Sequence, residues 1–182
     1  MSWSFADTLA VYGANYLYLV LLLVALAWYL MRSRSDKLEM IAWGVVALPI
    51  MYILLIIAGM VYFDPRPFDV GHFTPLIPHA ADNGFPSDHT LLCSATASIV
   101  FFYNKKMSAL LWFMTALVGA SRVYTGVHHV LDIVTSIIIA AAVSYVVWTF
   151  VLPRLKQTVV YKKGLLMLVR SSTSPDSTGG NS

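Results

Sequence analysis

Charge is scarce in this chain: Asp, Glu, Lys and Arg make up 12% of its 182 residues, against 58% hydrophobic residues. Soluble domains draw about a quarter of their residues from the charged set, so an ordinary soluble protein is excluded. Cysteine is scarcer still. Cys93 stands alone, which excludes an intrachain disulfide and a multi-cysteine metal site, and its place inside an apolar run points to packing. Basic stripes interleaved with aromatics are missing too, so the formal charge of +3 does not indicate nucleic acid. No internal repeat is found, and the apolar runs leave no room for a separate soluble domain. What is present is one membrane domain made of runs about as long as the ~20 residues a bilayer requires.

Leu9 to Met31 is the first run and Met40 to Phe63 the second, with Pro49 a kink that does not prevent insertion. Ala25-Leu26-Ala27 resembles a signal cleavage site, but the first seven residues hold Asp7 and no Lys or Arg, and the run continues through Met31. It is read as the first anchor. Thr90 to Asn104 and Met107 to Ser121 are shorter, and Asn104-Lys105-Lys106 joins them as antiparallel neighbours. If the first begins near Ser87, each has about 18 helical residues and ~27 Å of rise, barely a bilayer's core. The last run extends from about Val127 to Leu152, where Pro153 is expected to stop it. The expected fold is an all-α integral membrane protein, a bundle of about five transmembrane helices occupying residues 1–152. Residues 153–170 are basic and partly apolar, suited to the membrane surface. Residues 171–182 are Ser, Thr and Gly without pattern and are expected to be disordered.

Ten of the twelve Lys and Arg residues follow runs one, three and five, which the positive-inside rule assigns to the cytoplasm. The amino terminus is therefore expected outside and the carboxyl terminus inside. Arg66 and Arg122 fall on the opposite side, together with all five histidines. Two arginines out of place need an anionic reason.

Three segments meet at that outer face: Asp64-Pro65-Arg66-Pro67, then Phe85 to His89, then Ser121 to Asp132. The set lacks the carboxylate cluster of a dedicated divalent-metal site and suits a phosphate. His128 and Asp132, four residues apart, share one face if helical, so the carboxylate can hold one ring nitrogen and leave the other to attack phosphorus. The plainer alternative is that the pair only caps a helix, although acids and histidines at a membrane edge are costly enough to favour function. His129 does not align with the acid and is read as structural. Ser87 can cap the third run, whose free N–H groups would face an anion, and His89 in its first turn can donate to phosphate or protonate a leaving oxygen. Arg66 and Arg122 offer planar donor forks to phosphate oxygens, with lipid-headgroup snorkelling as the alternative.

Arg66-Pro67, Pro86-Ser87-Asp88-His89, and Ser121-Arg122 followed at fixed spacing by His128 and Asp132 resemble the three signatures of the type-2 phosphatidic acid phosphatase superfamily. The resemblance covers about residues 40 to 150, with the core signatures at about 59–132. It implies a metal-independent lipid phosphatase without cofactor: His128 as nucleophile, Asp132 orienting it, His89 as general acid, and Arg66, Ser87 and Arg122 as phosphoryl ligands. Two positions depart from the pattern. Gly59 stands where the first signature opens with lysine, and Asp88 where the second has glycine. Both departures, and the stretch Phe63 to Phe68, look like those of BcrC-type bacterial undecaprenyl pyrophosphate phosphatases. That implies a polyprenyl pyrophosphate substrate in the outer leaflet of a bacterial cytoplasmic membrane, recycled for cell-wall synthesis, with Asp88 a candidate contributor to pyrophosphate preference. Phosphatases acting on phosphatidylglycerophosphate, phosphatidate or diacylglycerol pyrophosphate, and a lipid phosphotransferase, share the same spacing. From another class, a non-catalytic binder of anionic lipid would not need the His128/Asp132 pair.

Overall fold

The computed structural model describes residues 4–158 and 161, and among them the protein is all helical. Four helices are long and apolar enough to cross a membrane: α1 (Phe5–Leu30), α2 (Arg34–Val61), α5 (Lys105–Tyr124) and α6 (Val130–Leu155). Between α2 and α5 come a single turn, α3 (Pro67–Val70), and the 14-residue α4 (Asp88–Phe101). The third apolar run thus makes a shorter helix than expected, rising only about 21 Å. The chain leaves helical geometry after Phe102, and Asn104 then caps α5 by accepting from the Met107 N–H. Pro153 does not stop the last helix, which runs two residues further, to Leu155. A π-helical turn at Val147–Val151 precedes it, and the proline falls in the first turn of the segment that follows.

Side-chain caps define where the helices begin. Ser4 and Asp7 form a reciprocal capping box on α1, and Ser33 and Ser87 accept from the third residues of α2 and α4. α2 continues unbroken through Pro49. The helices are apolar all round, so the outward faces carry large side chains such as Leu23, Val45, Ile53, Phe113 and Ile138, as a lipid-facing surface requires. α4 is the central element: it packs against α1, α2, α5 and α6, and most of its residues are buried. Small residues dominate it, Ser94, Ala95, Ala97 and Ser98 among them, which allows four neighbours to approach one short helix.

The two ends of the bundle differ chemically. At one end Glu39, near the start of α2, meets Lys156 at 2.6 Å and the Tyr103 hydroxyl at 3.2 Å, joining the α4–α5 turn to the end of α6. Arg32, Lys37 and Lys156 lie there over the rings of Trp28, Tyr29 and Trp148. At the other end the α2–α4 loop folds over the α5–α6 turn, with Leu76 N–H donating to the Thr125 carbonyl and Ile77 buried against Ala14 and Val127. The amino-terminal end of α1 is also here, since Tyr124 donates to Asp7.

Candidate active site

α5 ends at Tyr124 and the chain reverses at Gly126, whose φ of +82° suits glycine and strains other residues. The reversal drives Val127 and His128 into the interior. α6 starts at Val130, so His128 stands before the helix, not on it, while Asp132 lies in its first turn. The expectation that the pair shares one helical face is corrected, yet the two still meet. Extended backbone at His129 folds the imidazole back over that turn, and His128 Nδ1 lies 3.0 Å from Asp132 Oδ2. The same oxygen accepts from the His129 backbone N–H at 2.8 Å, which fixes the carboxylate.

With Nδ1 engaged, Nε2 of His128 faces two guanidinium groups, Arg122 Nη2 at 3.3 Å and Arg66 Nη1 at 3.5 Å. Both arginines are buried. Arg66 is held by Asp82 at 2.6 Å and by the Val127 carbonyl at 2.8 Å. Arg122 touches His79 Nε2 at 3.5 Å, and its own Nε is buried without an acceptor among the described residues. A buried donor in a positive cradle is what an anion would satisfy. Burial above all, aided by both guanidiniums and opposed by Asp132, holds His128 below the ordinary imidazole range. The ring therefore keeps its lone pair at neutral pH.

Ser87 is fully buried at the start of α4. Its Oγ accepts from the Thr90 N–H and hydroxyl, leaving its own proton to donate elsewhere. Its backbone is strapped to α6: Ser136 donates to the Ser87 carbonyl at 2.7 Å, and the Ser87 N–H reaches the Asp132 carbonyl at 3.4 Å. Next to it, Asp88 holds His89 Nδ1 at 2.8 Å, and the His89 ring stands edge-on to Tyr18 of α1 with centroids 4.5 Å apart. Asp88 also acts electrostatically on Arg122. Its carboxylate is turned to His89, so it positions the neighbouring imidazole and leaves the opposite ring nitrogen free.

Of the sequence-derived candidates, His128 contacts Asp132, Arg66 and Arg122, Ser87 joins Asp132 through the backbone, and the Asp88–His89 pair stands alongside. Three contributors were not singled out from sequence: His79, Asp82 and Tyr18. The first two lie on the α2–α4 loop, 43 and 16 residues from the arginines they touch. Their one sequence signal was membership of a polar loop facing the same side as the misplaced arginines. Asp64, Asp132 and His129 are also brought together in space, with an oxygen, an oxygen and a ring nitrogen within 4.8 Å of one another. Gly59, the position of the signature lysine, is pressed against the loop: a Cβ there would lie 3.0 Å from the Phe85 carbonyl oxygen.

Comparison with known proteins places the chain in a family. The family model described as PAP2 superfamily matches residues 41–156. Undecaprenyl-diphosphatase BcrC of Bacillus subtilis (strain 168) is 31% identical over 147 residues, covering 81% of this chain and 76% of the relative. A Bacillus licheniformis relative, named bacitracin transport permease protein BcrC, is 31% identical over 81% of this chain and 73% of its own. The crystal structure of Aquifex aeolicus LpxE superposes with a TM-score of 0.62 at 22% identity, covering 82% of this chain and 88% of that one, a likeness of fold. By its matched family model and by its similarity to curated relatives, the chain belongs to the PAP2 superfamily.

Proposed function

We propose that this protein is a metal-independent lipid diphosphatase that converts undecaprenyl diphosphate to undecaprenyl phosphate and phosphate. The observation that carries the reading is the division of His128: Nδ1 rests on Asp132, and Nε2 points between two buried guanidiniums. In this reading the Nε2 lone pair attacks the terminal phosphorus and the bond from phosphorus to the bridging oxygen breaks. His89 gives that oxygen its proton, and undecaprenyl phosphate leaves. Arg66, Arg122 and the Ser87 hydroxyl hold the transferring oxygens while charge shifts among them. Water then attacks the phosphohistidine, giving its proton to His89 and releasing phosphate. The relatives' names support the diphosphate substrate; the fold match supports the architecture.

Topology belongs to the same proposal. α4 completes the bundle as a short fifth span, and the end bearing His128 faces outward, opposite the cationic end at Glu39 and Lys156. A transport role, suggested by one relative's name, has less support. The middle of the bundle is filled by Leu91, Cys93, Ala97, Ile99, Leu111 and Val118, an apolar plug beneath the site.

Purified protein in detergent, given undecaprenyl diphosphate, is expected to release phosphate at a rate that a chelator leaves unchanged. His128→Ala should lower that rate by about 10,000-fold or more while the protein still inserts and folds. No release from the wild type would remove the substrate assignment, and an active His128→Ala would remove the nucleophile.

A further inference from the structure

Asp132 is wholly buried, yet its two carboxylate oxygens are unequally served. Oδ2 accepts from both His128 and the His129 backbone. Oδ1 has no donor among the described residues. A buried carboxylate oxygen left without a donor is among the more destabilising arrangements in a protein, and an orienting acid held by one oxygen can rotate. A second acid stands beside it: Asp64, 13% exposed, comes from the loop following α2 and brings a carboxylate oxygen within 4.8 Å of an Asp132 oxygen.

Asp64 is held in place from several directions. Its backbone N–H donates to Asn83 at 3.0 Å, and its carbonyl accepts from Gly84 at 2.9 Å. The Asn83 amide in turn donates to the Gly59 carbonyl at 2.9 Å, tying the loop to α2. The Asp64 carboxyl faces two groups from the start of α6, the Asp132 carboxylate and the His129 ring, whose Nδ1 is 3.1 Å from Oδ2. That nitrogen is at ion-pair distance but misaligned for a hydrogen bond, so it does not satisfy Asp64. The nearby Arg66 guanidinium is turned the other way, to Asp82 and Val127.

Two carboxyl groups in one water-poor space do not both ionise; one keeps a proton. We infer that Asp64 is the one that keeps it, and that it donates this proton to Asp132 Oδ1 as a second orienting group for the nucleophile. Burial above all, reinforced by Asp132 and opposed by His129, pushes the Asp64 carboxyl above its ordinary range. Neutral Asp64 leaves the full negative charge on Asp132, clamps both of its oxygens, and keeps Nε2 of His128 aimed between the guanidiniums. The inference rests on His128 acting as the nucleophile, and it makes Asp64 a positioning residue.

Asn in place of Asp64 keeps an N–H donor and cannot ionise, so Asp64→Asn should keep most of the wild-type kcat. Asp64→Ala removes the donor and should lower kcat about 10- to 100-fold with KM little changed. Infrared difference spectra of the substrate-free proteins should reveal a protonated-carboxyl C=O stretch in the wild type that Asp64→Asn removes. This measurement needs no lipid, so it separates failure of this inference from failure of the substrate assignment. The inference is overturned if no such band disappears, if Asp64→Asn is as impaired as Asp64→Ala, if folded Asp64→Ala has wild-type activity, or if activity depends on an added divalent cation.

Discussion

His128 divides its two nitrogens between tasks, and the charged groups around it serve that division. Its depressed basicity has a direct consequence for pH. A group whose folded pKa lies below the ordinary imidazole value of about 6.5 stays neutral to lower pH, so activity that needs its lone pair persists into the mildly acidic range. The acidic limb of kcat/KM against pH should therefore fall below that value. Arg122→Gln removes one cause of the depression and should move the limb toward higher pH, besides lowering kcat by about 100- to 1,000-fold through loss of a phosphoryl donor. At this scale much was legible in advance. His128, Asp132, Arg66 and Arg122 stand out because charged groups at the wrong end of a membrane protein need partners. His79 and Asp82 did not stand out, since nothing in a loop sequence says which buried guanidinium it will cover.

The α2–α4 loop is the element that turns separate signatures into one site. Pro65 bridges to Asn83 across it, Asn83 ties it to Gly59 and Tyr62, and Ile77 anchors it on the bundle. From that frame it presents Asp64, Arg66, His79 and Asp82. Packing at Gly59 is tight: a Cβ there would lie 3.0 Å from the Phe85 carbonyl oxygen, so a lysine needs that backbone to give by a few tenths of an ångström. Restoring the family residue with Gly59→Lys should therefore bring no gain in activity and a lower thermal midpoint in detergent, with overpacking costing about 1–3 kcal/mol. A higher rate with unchanged stability would show that the loop has room for the extra cation. The length of this loop signalled function. Its folded path depends on pairings such as Asp64 with Asn83 that no periodic pattern announces.

Across the whole molecule, the cationic end at Glu39 and Lys156 lies opposite the histidine end, as the distribution of basic residues implied. An outward-facing site predicts how single cysteines respond to a membrane-impermeant thiol reagent on intact cells. Ser4→Cys, at the start of α1, should be labelled directly, and Gln157→Cys, beyond α6, only after permeabilisation. Cys93 is buried and should stay silent in both. The reverse pattern would invert the topology. Sequence by itself determined the membrane class, the long apolar spans and their charge asymmetry, because hydrophobic length and the placement of Lys and Arg are one-dimensional properties that a bilayer reads directly. Tertiary structure alone decided that α4 would be a short helix enclosed by four others, that His128 would reach Asp132 from a turn outside the helix, and that Asp64 would lie against Asp132. Those outcomes depend on distances between residues up to dozens of positions apart, set by packing and by the need to give buried polar atoms a partner.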